Sequence, residues 1–398
     1  MKSSILVTIS WVFLCGLAII IPTAKIFVAL AMGLLGLVLI ANWSPKKTMS
    51  RSMVGLLVLY ATMAFGLIFS EDPVSSQRYL EIKLSFLVFP LVWWLGPNHD
   101  KKWIDRVLWC FVLATSGFAV YSFGEAFITY LASGDSSEFI YRKLSNAYHP
   151  TYQAAYGCFS IGILLNWLMK GQNKWQWLKI GLSVLLSVYV GLLASKAGIL
   201  CLAALLMFLA FHQARDKHKR KLVWLHAGLL AVLMVSILSA PKSSIRFEKV
   251  IADATGQGDA KIATSSSHVR LVAWRSAVEV MLEKPFGVGT GDVKAALTEK
   301  YVEQGEIFAG AKQLNAHNQF LQSGVEHGWW GMLLLLGVCV LALLEAIRMK
   351  NRLLTILILI CGFNMLFESF LELQAGIVFF CFFLTLLSQS RSEARVSS

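Results

Sequence analysis

Charged residues and prolines are scarce in this chain. Only 15% of its 398 residues are Asp, Glu, Lys or Arg and eight are proline, whereas 57% are hydrophobic. A typical soluble domain carries about 25% charged residues, so this composition excludes an ordinary soluble protein. Long apolar runs with short polar breaks, and a mean hydropathy of +0.63, are typical of a helical membrane protein with many spans.

Motifs for disulfides, metals and nucleotides are also missing. The seven cysteines all lie in apolar runs and form no CxxC pair, so neither a disulfide framework nor a thiolate metal site is predicted. No Walker A sequence occurs, and the glycines of PFGVGTGD at 285–292 lack the strand context of a dinucleotide loop. We therefore expect no metal, no cofactor and no ATP-driven pump.

Apolar runs long enough to cross about 30 Å of hydrocarbon predict the fold class. They lie near 5–22, 25–41, 53–69, 81–96, 103–130, 150–169, 177–194, 197–213, 222–239, 318–346, 353–370 and 374–389. The prediction is an all-α polytopic membrane protein with about twelve transmembrane helices. Its parts are helices 1–9 within 1–239, a loop with a cap helix at 240–317, and helices 10–12 with a cytoplasmic tail at 318–398.

Basic residues indicate the orientation in the membrane. If both termini are cytoplasmic, the inner segments hold more than half of the 36 Lys and Arg residues but few of the 23 acidic ones, as cytoplasmic loops do. The loop at 240–317 then faces outward. Because topology accounts for the formal net charge of +13, we expect membrane lipid as a partner and no nucleic acid.

The outer loop contains one helical pattern, in HVRLVAWRSAVEVMLEK. Its apolar face is predicted to comprise Leu271, Trp274, Val278, Met281 and Leu282. We expect this helix to end before Pro285 and either to lie on the membrane surface or to cap a cavity. The preceding stretch at 254–267 has the composition of a connector.

His317 is the first candidate for chemistry. It precedes Asn318 at the start of the tenth predicted helix, where free backbone amides favour anions and a neutral imidazole. Such an imidazole can take a proton from a hydroxyl; the alternative is a helix-capping histidine without chemistry. His327 lies nearly three turns further on, so a shared metal is not expected and a structural or pore-lining role is favoured.

Charged residues near the predicted outer ends of the spans are the other candidates. Lys196 stands between two apolar runs and either meets an anion, faces water or extends its ammonium to the interface. Arg270 begins the cap helix and has the fork that phosphate oxygens prefer, whereas Arg275 is interpreted as a surface residue. Glu368 and Glu372 are expected on one helical face, to pair with a cation or to anchor a helix end.

These residues resemble the O-antigen ligase family, which also contains O-antigen polymerases. The family motif is His, then Asn, Ser or Gln, nine residues, Gly, two residues, then Gly, Thr or Tyr. The sequence satisfies it with His317, Asn318, Gly328 and Gly331. Arg270 and Trp274 ahead of PFGVGTG, the FESFLELQAG stretch and the long loop before the tenth span add to the resemblance.

The resemblance implies a metal-independent, inverting glycosyltransferase with an undecaprenyl-diphosphate-linked glycan donor. His317 would be the general base on the acceptor hydroxyl, and Arg270 and Lys196 would bind the donor diphosphate. The sequence departs from the family at Lys196, where arginine is usual, and lysine lacks the bidentate fork. Residues that could support these three are Asn318, His149, Glu368 and Arg275.

The functional prediction is an O-antigen ligase in the bacterial inner membrane, acting at the periplasmic face. It would transfer glycan to lipid A-core oligosaccharide or another glycan acceptor. The alternative, with the same chemistry, is a polymerase that extends a lipid-linked glycan. A transporter would show inverted repeats and charges near the midplane, and neither is seen in the sequence. A structural scaffold would leave the motif unexplained.

Overall fold

The computed structural model describes residues 2–24, 32–33, 36, 48–95, 100–146, 148–172, 174–214, 220–239 and 266–388. The described chain is 84% helix and has no strand, so the all-α prediction is confirmed. The second predicted span at 25–41 lies almost wholly outside the described residues. So do the first part of the outer loop, the connector up to residue 265, and the tail from residue 389.

Sixteen α-helices occur within the described residues. They are α1 Lys2–Thr23, α2 Arg51–Gly66, α3 Pro73–Lys83, α4 Ser85–Leu95, α5 Lys101–Ser133, α6 Tyr141–Ser145, α7 Pro150–Met169, α8 Gln176–Leu192, α9 Lys196–Ala214, α10 Arg220–Ser239, α11 Ser266–Glu283, α12 Val293–Glu303, α13 Ile307–Lys312, α14 Gln319–Arg348, α15 Arg352–Phe367 and α16 Gln374–Ser388. The cap helix is α11, and it ends before Pro285 as predicted.

Four of these helices are long and apolar enough to cross a membrane: α5, α10, α14, and α2 together with the 3-10 turn that follows it. Five shorter apolar helices accompany them, namely α1, α8, α9, α15 and α16. The count of twelve spans stays a prediction. In the predicted span at 81–96 the helix breaks at Leu84, so that α3 and α4 are separate elements.

The chain divides into two compact units. The first comprises residues 1–44, 95–244 and 351–360. Within it α1 packs along α5, α7 along α8, and α9 along α10. All residues of α7 are buried, so this helix is central to the first unit.

The second unit comprises residues 45–94, 245–350 and 361–398. Within it α2 and the cap helix α11 both pack against α14, and α12 and α13 pack beside α11. The buried face of α11 consists of Ala273, Ala277, Val280 and Met281. Of the predicted apolar face only Met281 is fully buried, whereas Leu271 and Leu282 are 62% and 66% exposed, so that face is not the one that packs inside the unit. The alanines lie on the buried face because small side chains let helices approach closely.

The loop at 285–291, which we call the glycine loop, fastens the end of the cap helix to α14. Its Val288 N–H donates to the carbonyl of Val325 at 3.0 Å, and its Gly289 N–H donates to the carbonyl of Glu326 at 3.0 Å. These carbonyls are available because α14 is kinked at the next two residues, where the backbone is not helical. The loop is thus a backbone-to-backbone attachment.

Candidate functional site

The backbone of His317 is held in an unusual conformation. The residue lies just before α14 and has a φ of 45°, a left-handed conformation that costs a non-glycine residue about 1–3 kcal/mol and persists only where its surroundings enforce it. Its N–H donates to Asn315 Oδ1 at 3.0 Å, and its carbonyl accepts from Trp274 Nε1 at 3.3 Å. The cap helix therefore holds the backbone of His317 directly.

The imidazole of His317 faces a carboxylate. Its Nδ1 lies 3.1 Å from Glu368 Oε2, and the side chain is 24% exposed. Because an ionised carboxylate can only accept hydrogen bonds, a neutral imidazole must carry its proton on Nδ1 and its lone pair on Nε2. Nε2 makes no hydrogen bond within the described part of the chain. The geometry thus presents the basic nitrogen to the open side.

Glu368 also binds Arg270. Its Oε1 accepts from Arg270 Nη2 at 2.6 Å, and the two side chains are 15% and 20% exposed. Burial raises the pKa of Glu368, but the hydrogen bond from His317 and the charge of Arg270 outweigh it and hold this pKa below its usual value. We call His317, Glu368 and Arg270 the triad. One ionised carboxylate in it binds both a base and a cation.

The two glutamates are not on one helical face, contrary to the prediction. Helix α15 ends at Phe367, and residues 368–373 form a non-helical segment that we call the carboxylate segment. Side chains of the site satisfy the last carbonyls of α15 and so end the helix. Arg270 Nε donates to the carbonyl of Phe367 at 3.0 Å, and Asn318 Nδ2 donates to that of Leu366 at 3.1 Å.

Asn318, the second residue of the motif, has two structural roles. Its Oδ1 accepts from the backbone N–H groups of Phe320 at 2.9 Å and Leu321 at 3.1 Å, which makes it the N-cap of α14. Its amide nitrogen holds the end of α15. Asn318 therefore fixes the start of α14 beside the carboxylate segment, next to His317.

The sequence analysis missed Lys83 and Tyr79. Lys83 Nζ lies 2.8 Å from Glu372 Oε1, and the lysine side chain is fully buried. The hydroxyl of Tyr79 donates to Glu372, and burial together with the charges of Glu326 and Glu372 raises the pKa of Tyr79. A lysine inside the run predicted as a span at 81–96 was a signal, because a cation there needs a specific partner.

Lys196 and His149 lie in the first unit. Lys196 begins α9 after a connection of three residues, 193–195, so it stands between two apolar helices. His149 is the N-cap of α7, where its Nδ1 accepts from the N–H of Thr151 at 3.4 Å. The hydroxyls of Thr151 and Ser195 lie 3.3 Å apart. The N-termini of α7 and α9, both favourable to anions, are therefore neighbours.

Arg275 lies on the surface, as interpreted from the sequence. Its side chain is 78% exposed, and its Nε lies 3.0 Å from Glu279 Oε1 one turn along α11. A solvated pair of this kind contributes little to stability. Arg275 makes no contact with the triad in the described part of the chain.

His327 is buried at the kink of α14. Its Nε2 lies 3.4 Å from Glu326 Oε1, and the two side chains are 8% and 0% exposed. The ring lies against Gly66, whose Cα hydrogen leaves the necessary space. This position favours the structural role over the pore-lining one.

The arrangement can therefore accept a proton at His317 Nε2 while a fixed anion and a cation lie beside it. A carboxylate beside an imidazole stabilises the imidazolium whenever the ring takes up a proton. Within the described ranges, no group of three or more His, Cys, Asp or Glu side chains is placed to hold a metal ion.

Comparison with known proteins finds similarity only for the part of the chain from α8 to the middle of α14. No curated protein matches the chain. A family model described as O-antigen ligase matches residues 181–336. This range includes Lys196, Arg270, His317 and Asn318 but neither Glu368 nor Lys83. Over residues 181–336 the chain is therefore similar to the O-antigen ligase family.

Proposed function

We propose that the protein is an O-antigen ligase that transfers glycan from undecaprenyl diphosphate to lipid A-core oligosaccharide at the periplasmic face of the bacterial inner membrane. The observation that carries the proposal is the contact between His317 Nδ1 and Glu368, within a chain that has the ligase motif. The family and the apolar helices support a membrane glycosyltransferase-like enzyme that uses lipid-linked glycans.

In the proposed reaction the acceptor hydroxyl attacks the anomeric carbon of the donor sugar. The bond from that carbon to the phosphate oxygen breaks, and undecaprenyl diphosphate leaves with the electron pair. The hydroxyl proton passes to His317 Nε2, and Glu368 stabilises the resulting imidazolium. Because the hydroxyl displaces the diphosphate directly, the anomeric configuration inverts.

Cations are needed where the leaving group gains charge. We assign this task to Arg270 and Lys196, as the family resemblance implies. Arg270 is still 20% exposed beside its partner Glu368, which leaves an edge for a diphosphate oxygen. Lys196 at the beginning of α9 adds a cation to the positive end of a helix. Diphosphate is already a good leaving group, so this role of the cations requires no metal ligand from the protein.

The polymerase alternative uses the same triad with a different acceptor. It is tested together with the ligase by replacing His317 with alanine in a strain that lacks the chromosomal gene. We expect a loss of transfer of about 100-fold to 10,000-fold, the usual range for a general base. The measurement is a lipopolysaccharide gel, with the protein level in membranes checked in parallel.

The matched control is His268→Ala, because His268 is an exposed histidine on the cap helix and should leave the ladder unchanged. A ligase predicts that His317→Ala leaves only lipid A-core while long glycan accumulates on the carrier. A single repeat unit on the core would show a polymerase instead. A wild-type ladder from His317→Ala would remove this histidine from the mechanism.

A further inference from the structure

The carboxylate segment, residues 368–373, has to hold Glu368 in place without helix or strand. Within the segment there are two short turns, from Phe370 N–H to the carbonyl of Glu368 at 2.8 Å and from Glu372 N–H to that of Ser369 at 3.1 Å, and the Glu368 N–H ties its start to α15 through the Asn364 carbonyl at 2.9 Å. Two turns do not fix where the segment lies relative to α14. Besides its bond to α15, the position of Glu368 beside α14 therefore depends on contacts that the rest of the segment makes with other elements.

Both sides of Leu371 provide such contacts. Its N–H donates to Gln319 Oε1 at 2.6 Å, and its carbonyl accepts from Lys83 Nζ at 2.7 Å. The side chain of Leu371 is 1% exposed, so water cannot replace these partners. Gln319 lies two residues after His317, so the same hydrogen bonds tie the segment to the start of α14.

Glu372 completes the attachment. Its Oε1 accepts from Lys83 Nζ at 2.8 Å and from Gln319 Nε2 at 2.9 Å, and its Oε2 accepts from the Tyr79 hydroxyl. The lysine is fully buried, and a buried ammonium is stable only with charged and polar partners around it. The Lys83 ammonium thus contacts both the Leu371 carbonyl and the Glu372 carboxylate from one buried position.

We propose that Lys83 is a positioning residue for the triad. It does not contact His317 or Arg270 in the described structure; it holds the carboxylate segment so that Glu368 reaches both of them. This role rests on the proposed function of His317 as the base. Without Lys83, the Leu371 carbonyl and the Glu372 carboxylate lose their buried cation, and the segment shifts away from His317.

The test is a transfer assay with purified protein, an undecaprenyl-diphosphate-linked oligosaccharide as donor and lipid A-core as acceptor. We expect Lys83→Met to lower kcat by about 100-fold, the cost of a small misplacement of a catalytic group, with KM little changed. Lys83→Arg keeps the charge and should recover most of kcat. The matched control, Lys294→Met, removes an exposed lysine from α12 and should leave kcat and KM unchanged.

A double variant separates positioning from general stability. If Lys83 acts through Glu368, the double variant Lys83→Met/Glu368→Gln has the same kcat as Glu368→Gln alone. Once the carboxylate of Glu368 is gone, its positioning no longer affects the rate. Losses that multiply would overturn the proposal, and so would a wild-type kcat for Lys83→Met. If Lys83→Met does not accumulate, Lys83→Met/Glu372→Gln leaves no lone buried charge and should show the same fall in kcat.

Failure of the positioning role is distinguishable from failure of the proposed function. A wild-type rate for His317→Ala would overturn the function itself, whatever Lys83 does. An inactive His317→Ala beside a fully active Lys83→Met/Glu372→Gln would overturn only the positioning role.

Discussion

At the scale of single residues, the unusual feature is that one carboxylate serves two partners. Glu368 accepts from Arg270 at 2.6 Å and from His317 at 3.1 Å. Its charge fixes the tautomer of the base and neutralises part of the cation. The charge of Glu368 is therefore needed both for the geometry of the site and for its stability.

This dependence predicts a pH effect on stability. The pKa of Glu368 is held below its usual value of 4.5, so its ionisation stabilises the folded protein above that pH, and the contribution is lost as the pH falls through the folded-state pKa. Glu368→Gln should therefore lower the Tm at pH 7, and the difference from wild type should close below pH 4.5. Thermal melts of the detergent-solubilised proteins measure it.

The control for the melts is Glu299→Gln, which removes an exposed glutamate from α12 and should leave Tm close to the wild-type value. A Tm difference for Glu368→Gln that stays constant from pH 7 to below pH 4.5 would mean that its charge does not stabilise the fold.

The triad was only partly predictable from the sequence. His317 and Arg270 follow from the motif and from the chemistry of their side chains, and Glu368 from its expected place at a helix end. The role of Lys83 was not predicted, because this residue is far from the motif in the chain and lies within a run whose average hydropathy is that of a membrane span. Its partner, the Leu371 carbonyl, belongs to an irregular segment whose path no periodicity reveals.

At the scale of elements, the glycine loop gives a structural reason for the glycines of PFGVGTGD. The sequence showed only that they do not form a nucleotide-binding loop. Gly287 has a φ of 88°, and a Cβ there would lie 2.4 Å from the carbonyl oxygen of Glu326. Only glycine allows this approach of the loop to the kink of α14. Helical periodicity predicts where α11 and α14 lie in the chain, but it does not predict which face of α11 is buried or how a loop docks.

Gly287→Ala should therefore lower the free energy of unfolding by more than the strain of the left-handed backbone alone would. The matched control is Gly305→Ala, because Gly305 has a φ of 72° and a methyl group added there would have no atom of the described chain within 4 Å. The control should cost about 1 kcal/mol for the left-handed backbone, and Gly287→Ala about 1–3 kcal/mol more for overpacking. Equal Tm values for the two variants would show that the close contact between Gly287 and the Glu326 carbonyl does not contribute to stability.

At the scale of the whole molecule, each compact unit contains two of the four long apolar helices. The first unit has α5 and α10, and the second has α2 and α14. The division therefore does not separate a membrane part from a soluble part. The three-part organisation predicted from the sequence, like the orientation of the helices, stays a prediction, because hydropathy reports only which segments are apolar.

The orientation can be measured by adding one cysteine at a time at exposed positions. If the cap helix is periplasmic and the end of α14 cytoplasmic, Arg275→Cys reacts with a membrane-impermeant maleimide in intact cells, whereas Lys350→Cys reacts only after the inner membrane is opened. The wild-type protein is the control, because its seven cysteines are buried or half-buried. Labelling of Lys350→Cys in intact cells would show that the end of α14 is periplasmic, which is the opposite of the predicted orientation.

The hydrogen bond from Trp274 to the carbonyl of His317 has a consequence for inhibition. Arg270 and Trp274 are one turn apart on α11, so a single rigid element carries the cation and holds the backbone of the base. A displacement of α11 would move the Arg270 guanidinium and break the hydrogen bond to the His317 carbonyl together. If His317 and Arg270 have the proposed roles, a compound that binds between α11 and α14 would displace both at once, without resembling sugar or diphosphate.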